Sequence, residues 1–324
     1  MTSLRVRIRT PSRLHFGLLG WGPQPRRQFG GIGLMIDSPG IELTAEPAPA
    51  WIAQGPLATR VEQIVTRLRA QMLETGTVLP PARIRIERAP AEHVGLGVGT
   101  QLSLAVARTV LGLAGMPEPT VEQLARLTGR GGRSGIGLHG FHHGGLIVDG
   151  GRKGEADFPA LVARVPFPED WSILIVQPAG ESGLHGSDES RAFADLPPYA
   201  PGVTDALCRL VLLEILPAVI ERDLESFGGA LSELQSRVGA CFAPAQGGTY
   251  TTAHAAAIVG ELKRLGFAGA GQSSWGPTLY AFAHRSEHDL TATAERLRHR
   301  FGLLESSIFR TTADNQGARL FAAD

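Results

Sequence analysis

The stretch "GLGVGTQLSLAVARTVLGLAG" at residues 95 to 115 constrains the fold of this chain more than any other. After its alternating glycines it reads as a helix that is apolar on most sides. Such a helix has no face to give to water, so it must lie buried between other elements. Its N-terminus follows glycines that let backbone N–H groups approach an anion without a Cβ in the way, and the positive end of the helix dipole points to the same place. The loop alone has two readings, a phosphate cradle or a tight strand-to-helix turn that holds nothing.

The flanking segments supply what would bury that helix. "LRVRIRT" (4–10) and "RIRIER" (83–88) alternate with period two and read as half-buried strands. Between them, Val61, Ile64, Val65, Leu68 and Met72 mark one face of a helix that stops at Gly76. Thr120 and Gln123 form a capping box for a helix ending at Gly129. A second glycine-rich stretch, "GRGGRSGIGLHGFHHGG" (129–145), leads into the strand-like "LIVDGG", which closes a first lobe.

"WSILIVQP" opens a second half, followed by a polar loop of more than twenty residues that reads as a candidate lid or site loop. Helices are expected over 203–222, 223–238, 250–265 and 287–301, interrupted by "APAQGG" and "GAGQSSWGPTLYAFA". Strands, then helices, then strands again argue for α+β lobes over a doubly wound parallel sheet. At 324 residues and 43% apolar content, two lobes are expected, 1–165 and 166–324.

Thirty-one Lys and Arg balance thirty-one Asp and Glu, so no global field draws nucleic acid or an anionic membrane. Cys208 and Cys241 are the only cysteines and sit in apolar, helix-like settings, which fits a reducing compartment. The N-terminus lacks the pattern of a secretory signal, and the longest apolar run carries Arg209, Glu214 and Pro217. A cytoplasmic protein is expected.

Three further stretches bear on chemistry. "TPSRLHFGLLG" (10–20) interrupts the first strand with a proline and offers Ser12, Arg13 and His15. "GRGGRSGIG" sets Arg130 and Arg133 among glycines, and an arginine fork suits bidentate phosphate contacts. "GAGQSSWGPT" (269–278) is a third glycine and serine loop. Together they imply one anionic small molecule held between lobes. His139, His142 and His143 lack nearby acidic or cysteine partners for a transition-metal site, while His15 and His93 are better placed to meet a charged substrate or to bond backbone at a turn. Gln246 reads as pocket floor or connection, and Trp275 as stacking platform or core.

The order of "PSR", Pro90 followed by "GLGVGT", "RSGIG" and the late "GAGQSSWG" resembles the GHMP superfamily of small-molecule kinases over nearly the whole chain. Within it, "GLGVGTQLSLAVA", "RSGIGLHGFHHGGLIVDGG" and "GQSSWGPTLYAF" are most similar to the β-ribofuranosylaminobenzene 5′-phosphate synthase family. The resemblance implies a two-lobed GHMP kinase-like fold with a ferredoxin-like C-terminal lobe. Two departures from the kinases stand out. Val98 and Gly99 occupy places where kinases of this type carry serines, and Gly137 stands where their aspartate base would be.

The synthase resemblance implies 5-phosphoribosyl 1-diphosphate and 4-aminobenzoate or 4-hydroxybenzoate as substrates, joined in a C-riboside with release of CO2 and diphosphate, in tetrahydromethanopterin biosynthesis. Loss of diphosphate builds positive charge on the ribose, and no alcohol needs deprotonating, so the missing aspartate makes chemical sense. On this reading Gly95, Gly97, Gly99, Thr100 and Gln101 hold phosphate or diphosphate, with Ser12, Arg13 and Arg133 as donors. Ser134, Gly135, Gln272, Ser273 and Ser274 make further contacts, and Arg13, His15 and Arg133 carry the catalytic load. Mg2+ is expected on the diphosphate, with Asp188 and Glu189 as candidate ligands or simply a solvated loop face. A GHMP-type ATP-dependent kinase with a base from elsewhere is the alternative, and a ligand-binding protein without chemistry a third reading. A homodimer stays open.

Overall fold

The computed structural model describes residues 5–23, 26–154, 157–180, 186–286 and 289–323, apart from the side chains of 186–190, 290 and 323. In chain order the elements are β1 (Arg5–Gly20), β2 (Phe29–Pro47), β3 (Ile52–Gln54), α1 (Ala58–Glu74), β4 (Ala82–Arg88), α2 (Val98–Leu113), α3 (Val121–Thr128), α4 (Ile136–His143), β5 (Leu146–Asp149) and β6 (Leu161–Val165). There follow β7 (Trp171–Val176), α5 (Gly186–Asp195), α6 (Val203–Leu210), a π-helical stretch (Val211–Ile215), α7 (Leu216–Glu221), α8 (Leu224–Gln246), α9 (Ala253–Arg264), β8 (Ala268–Gln272), β9 (Leu279–His284), α10 (Leu290–Phe301), β10 (Ile308–Thr311) and β11 (Arg319–Ala323).

Two sheets organise these elements. One runs β11-β1-β2-β4-β3, with β5 joined to β2 and β6 to β5, and the other runs β10-β7-β9-β8. The last strand, β11, pairs antiparallel with β1, from Arg5 opposite Ala323 to Arg9 opposite Arg319. A division into 1–165 and 166–324 therefore does not describe the C-terminal strand, which belongs to the first sheet.

Proline does not end β1. The strand passes through Pro11 with irregular register between Thr10 and Ser12 and again between His15 and Gly17. A bulge needs no ladder hydrogen bond from the proline, and it re-aims the side chains beside it. Arg13 and His15 thus stand on a sheet strand instead of a loop.

The second glycine-rich stretch is also more regular than its composition suggests, since Ile136–His143 is helix α4. Gly140 permits it, because a Cβ there would come 2.2 Å from Met35 Sδ. The long polar loop likewise contains α5, and its residues 181–185 lie outside the described residues. Helix α8 continues past 238 to Gln246 with Pro244 inside its last turn.

The apolar helix α2 is central as expected. Leu102, Ala105, Val106 and Ala107 are fully buried, and α2 packs on β1, β2, α1, α3 and α4. Helix α8 packs both on β8 of the second sheet and on β1 of the first, so one continuous core joins the two lobes. The cleft between them is floored by β1 and walled by α8.

Because Leu102 is buried on every side, its truncation leaves a cavity that neighbours cannot close without moving the sheet. Leu102→Ala is expected to lower the unfolding free energy by about 2–5 kcal/mol in denaturant titration. A loss under about 0.5 kcal/mol would contradict the central placement of α2.

Candidate active site

Three loops distant in sequence meet at β1 through hydrogen bonds that leave little slack. The His15 amide donates to Ser273 Oγ at 3.0 Å, and that hydroxyl donates to the Gly95 carbonyl at 2.7 Å. The Ser274 amide donates to the His15 carbonyl at 3.1 Å and the Arg13 amide to the Leu96 carbonyl at 3.0 Å. Where the β8–β9 hairpin turn crosses the first glycine loop, a Cβ on Gly276 would lie 2.3 Å from Gly95 Cα. Glycine at both positions is a condition of contact, independent of any ligand.

The cleft encloses about 430 Å³. One part is cationic and glycine-rich, with Arg13, Thr100, Gly129, Arg130, Gly131, Gly132, Arg133 and Ser134. Another is aromatic, with Phe193, Phe242 and Trp275, and the stripe Gln235, Val238, Gly239, Phe242, Gln246 of α8 runs along the wall. None of the described lining residues is an Asp or Glu.

The cationic end of the cleft gathers three arginines, Arg13, Arg130 and Arg133. Burial first, then the Arg60 and Arg67 charges, lower the Arg130 pKa against an opposing pull from Glu92. Arg130 reaches Ser103 Oγ at 3.0 Å and lies over Gly99, while the Arg13 side chain lies over Gly97. Two guanidinium groups therefore flank the N-terminus of α2, where the first backbone N–H groups have no intrahelical partner. Arg133 stacks over the Phe193 ring at 4.8 Å and so sits at the border of the aromatic part.

Below this surface lies a polar chain that the sequence did not disclose. His15 Nε2 is 3.3 Å from Ser134 Oγ, and Ser134 Oγ donates to Asp149 Oδ2 at 3.1 Å. The Gly135 and Gly151 amides donate to the same carboxylate, each at 2.9 Å. Burial, and then the neighbouring Arg13 charge, push the His15 pKa well below its ordinary value, so it is neutral at pH 7. Burial raises Asp149 to about 6, against these three donors, which pull the other way. Asp149 sits at the end of an apolar strand, and no local pattern around "LIVDGG" separates it from a surface turn aspartate.

The residues expected at the site divide accordingly. Arg13, His15, Thr100, Arg133, Ser134, Gln272 and Ser274 line the cleft. Ser12 does not, since it is buried and its hydroxyl donates to the Pro39 carbonyl at 2.5 Å. Gln101 is buried under α4, with Nε2 donating to the Gly137 carbonyl at 2.8 Å. Ser273 and Gly95 are occupied in joining the loops, and Gly135 in bonding Asp149. Gly97 and Gly99 border the cleft under Arg13 and Arg130 without lining it. The sequence reading passed over Phe193, Phe242, Gln235 and Thr249, which reach the cleft only by the packing of α5, of α8 and of the turn that follows α8.

His139, His142 and His143 lie on α4 outside the lining, and His93 is also outside it. His139 Nε2 meets the Pro159 carbonyl at 2.8 Å. No cluster of three or more His, Cys, Asp or Glu suited to a metal occurs among the described residues. The side chains of Asp188 and Glu189 lie outside the described residues.

Comparison with known proteins follows the same outline. The model of the GHMP kinases C-terminal domain matches residues 215–302. Among solved structures, homoserine kinase from Cytophaga hutchinsonii superposes with a TM-score of 0.70 at 16% identity, covering 99% of this chain and 98% of that one. Mevalonate diphosphate decarboxylase from Staphylococcus aureus gives 0.63 at 13% identity over 98% of both chains. These likenesses establish the GHMP kinase-like α+β fold. A β-ribofuranosylphenol 5′-phosphate synthase from Archaeoglobus fulgidus is 37% identical over 292 residues, 85% of this chain and 87% of the relative.

The chain belongs to the β-ribofuranosylphenol 5′-phosphate synthase family. A second relative of that name, from Methanothermobacter thermautotrophicus, is 31% identical over 85% of this chain and 87% of its own length, and a third, from Methanocaldococcus jannaschii, is 29% identical over 97% of this chain and 99% of its own. Membership accords with Gly137, whose position against Thr100 Cγ2, 3.2 Å from where a Cβ would be, leaves little room for the aspartate of a kinase.

In this family member the buried Asp149 gives a pH signature. Its native pKa of about 6 exceeds the reference 3.8, so the folded state holds the proton more tightly than the unfolded state. Its contribution to stability is present in full below pH 3.8 and is lost as pH rises through about 6. Asp149→Asn removes this titration. Denaturant unfolding from pH 4 to 7.5 should show the wild type losing on the order of 2–3 kcal/mol relative to the variant. A difference that does not change with pH would refute it.

Proposed function

We propose that this protein condenses 5-phosphoribosyl 1-diphosphate with 4-hydroxybenzoate, releasing CO2 and diphosphate and forming β-ribofuranosylphenol 5′-phosphate. The observation that carries this reading is a single cleft with a cationic half and an aromatic half and, among the described lining residues, no carboxylate. The relatives' name, with a phenol product, favours 4-hydroxybenzoate over 4-aminobenzoate as the acid.

The chemistry asks for few groups. The bond from ribose C1 to the diphosphate oxygen breaks with its electron pair leaving on diphosphate, and the ring carbon that bears the carboxylate bonds to C1. The bond to the carboxylate carbon then breaks, its pair restores the aromatic ring, and CO2 departs. Arg13, Arg130 and Arg133 stabilise charge gathering on the leaving diphosphate, which is where preorganised donors contribute most. The aromatic half, where Trp275 and Phe242 are buried, shields the cationic ribose from water. Neutral His15 adds no positive charge beside that cation.

The ATP-dependent kinase alternative fits less well. Gly137 offers no base, and Asp149 is enclosed by Ser134, Gly135 and Gly151. The lining donors are guanidinium, hydroxyl, amide and imidazole groups, which are poor Mg2+ ligands beside carboxylates. The described residues do not fit a protein-ligated Mg2+ in the cleft. Any Mg2+ would enter as a companion of the diphosphate, and no step is assigned to it.

Purified protein supplied with phosphoribosyl diphosphate, Mg2+ and carboxyl-labelled 4-hydroxybenzoate or 4-aminobenzoate should release labelled CO2. Release from neither acid would reject the synthase reading. Arg13→Ala and Arg133→Ala should each lower kcat/KM for phosphoribosyl diphosphate by roughly 10²-fold or more, while unfolding midpoints stay near that of the wild type. Wild-type turnover in both variants would show that these arginines do not meet the diphosphate.

A further inference from the structure

We propose that Phe193, Phe242, Trp275 and Gln246 form the subsite for the aromatic acid, with the ring held against the open side of the three aromatic side chains and its para hydroxyl donating to Gln246 Oε1. This rests on the synthase reading and assigns the acid a place and an orientation within the cleft.

The aromatic side chains make a wall with defined geometry. Trp275 lies 4.7 Å from Phe193 at an interplanar angle of 35° and 5.3 Å from Phe242 at 83°. Phe193 and Phe242 stand edge-on at 5.9 Å. All three also line the cleft, so this cluster is open on one side, where a flat ring can add to it by offset or edge-on contact.

Helix α8 supplies the order of groups along the cleft. Gln235, Val238, Gly239, Phe242 and Gln246 follow the spacing of one helix face. Gln235 Oε1 accepts from the Gln272 amide at 3.0 Å, so this end abuts the β8 strand. Gln246 lies one turn beyond Phe242, about 6 Å along the axis, a distance comparable to a para-substituted ring.

Gln246 is also held in one orientation. Its Nε2 donates to the Gly248 carbonyl at 2.8 Å and the Thr249 carbonyl at 2.9 Å. With the nitrogen engaged, Oε1 is what the side chain offers a ligand, and an acceptor selects a para substituent that donates. A phenol does so and a methoxy group does not. With the hydroxyl at Gln246, the carboxylate points back toward Arg133, whose guanidinium over Phe193 stands between the aromatic and cationic parts. The carbon that bears the carboxylate then faces the ribose.

The test is a pair of variants at the half-buried positions Phe193 and Gln246, read by substrate-resolved kinetics and by titration calorimetry with 4-hydroxybenzoate alone. Gln246→Leu should raise KM for 4-hydroxybenzoate about tenfold, leave KM for phosphoribosyl diphosphate within twofold and, in calorimetry, narrow the preference for 4-hydroxybenzoate over 4-methoxybenzoate at least fivefold. Phe193→Leu, which also removes the ring under Arg133, should raise KM for the acid about tenfold and that for phosphoribosyl diphosphate by a smaller factor. A merely structural role would shift both KM values equally or neither. Unchanged KM for the acid in both variants, with wild-type turnover intact, would overturn the subsite and leave the synthase reading standing. If the wild type releases no CO2, the synthase reading falls. Calorimetry then decides the subsite, which is supported by weaker binding in both variants and overturned by equal binding.

Discussion

The cleft depends on the Ser273 hydroxyl, which accepts from the His15 amide and donates to the Gly95 carbonyl. Three segments separated by many residues are thereby held at one point, and their glycines let them come that close. A buried hydroxyl with both partners satisfied is worth more than an exposed one, because losing it leaves a backbone N–H and a carbonyl unpaired away from water. With the hairpin turn fixed on β1, Ser274 and Trp275 reach the cleft, and α8 lies against β1 to wall it.

Arg13, Arg130 and Arg133 gather positive charge at one end of the cleft, which favours a polyanion there. The buried carboxylate of Asp149 is set one layer behind Ser134 and bonded to two backbone amides, so it orders the loop carrying Arg133 and Ser134. The fold is shared with homoserine kinase, yet Gly137 offers no side chain to take a proton and no Asp or Glu occurs among the described lining residues. No helix among the described residues is long and apolar enough to cross a membrane.

Much of this was legible in the chain. The apolar pattern of α2, the capping box at Thr120 and Gln123 and the alternation in β1 and β4 are local signals, and each forms as its spacing dictates. Arg13 and Arg133 could be singled out because arginine among glycine and proline has no structural motive. Other elements escaped because composition misleads where tertiary contact overrides it. Glycines at 137 and 140 look like a loop but form a helix pressed on Thr100 and Met35, Pro11 looks like a break but sits in a bulge, and Pro244 lies inside α8, which stops soon after it at Gln246.

The sequence by itself determined the buried helix, the three glycine-rich crossings, the absence of a kinase base at Gly137 and the family likeness, because each is written in neighbouring residues. Tertiary structure alone decided which residues share the cleft. It turned Ser12, Gln101 and Ser273 inward to bond backbone carbonyls, brought Phe193 and Phe242 beside Trp275, and placed Asp149 behind His15 and Ser134. Such pairings join residues tens to hundreds of positions apart, and only the packing of α8 and the β8–β9 hairpin against β1 makes them neighbours.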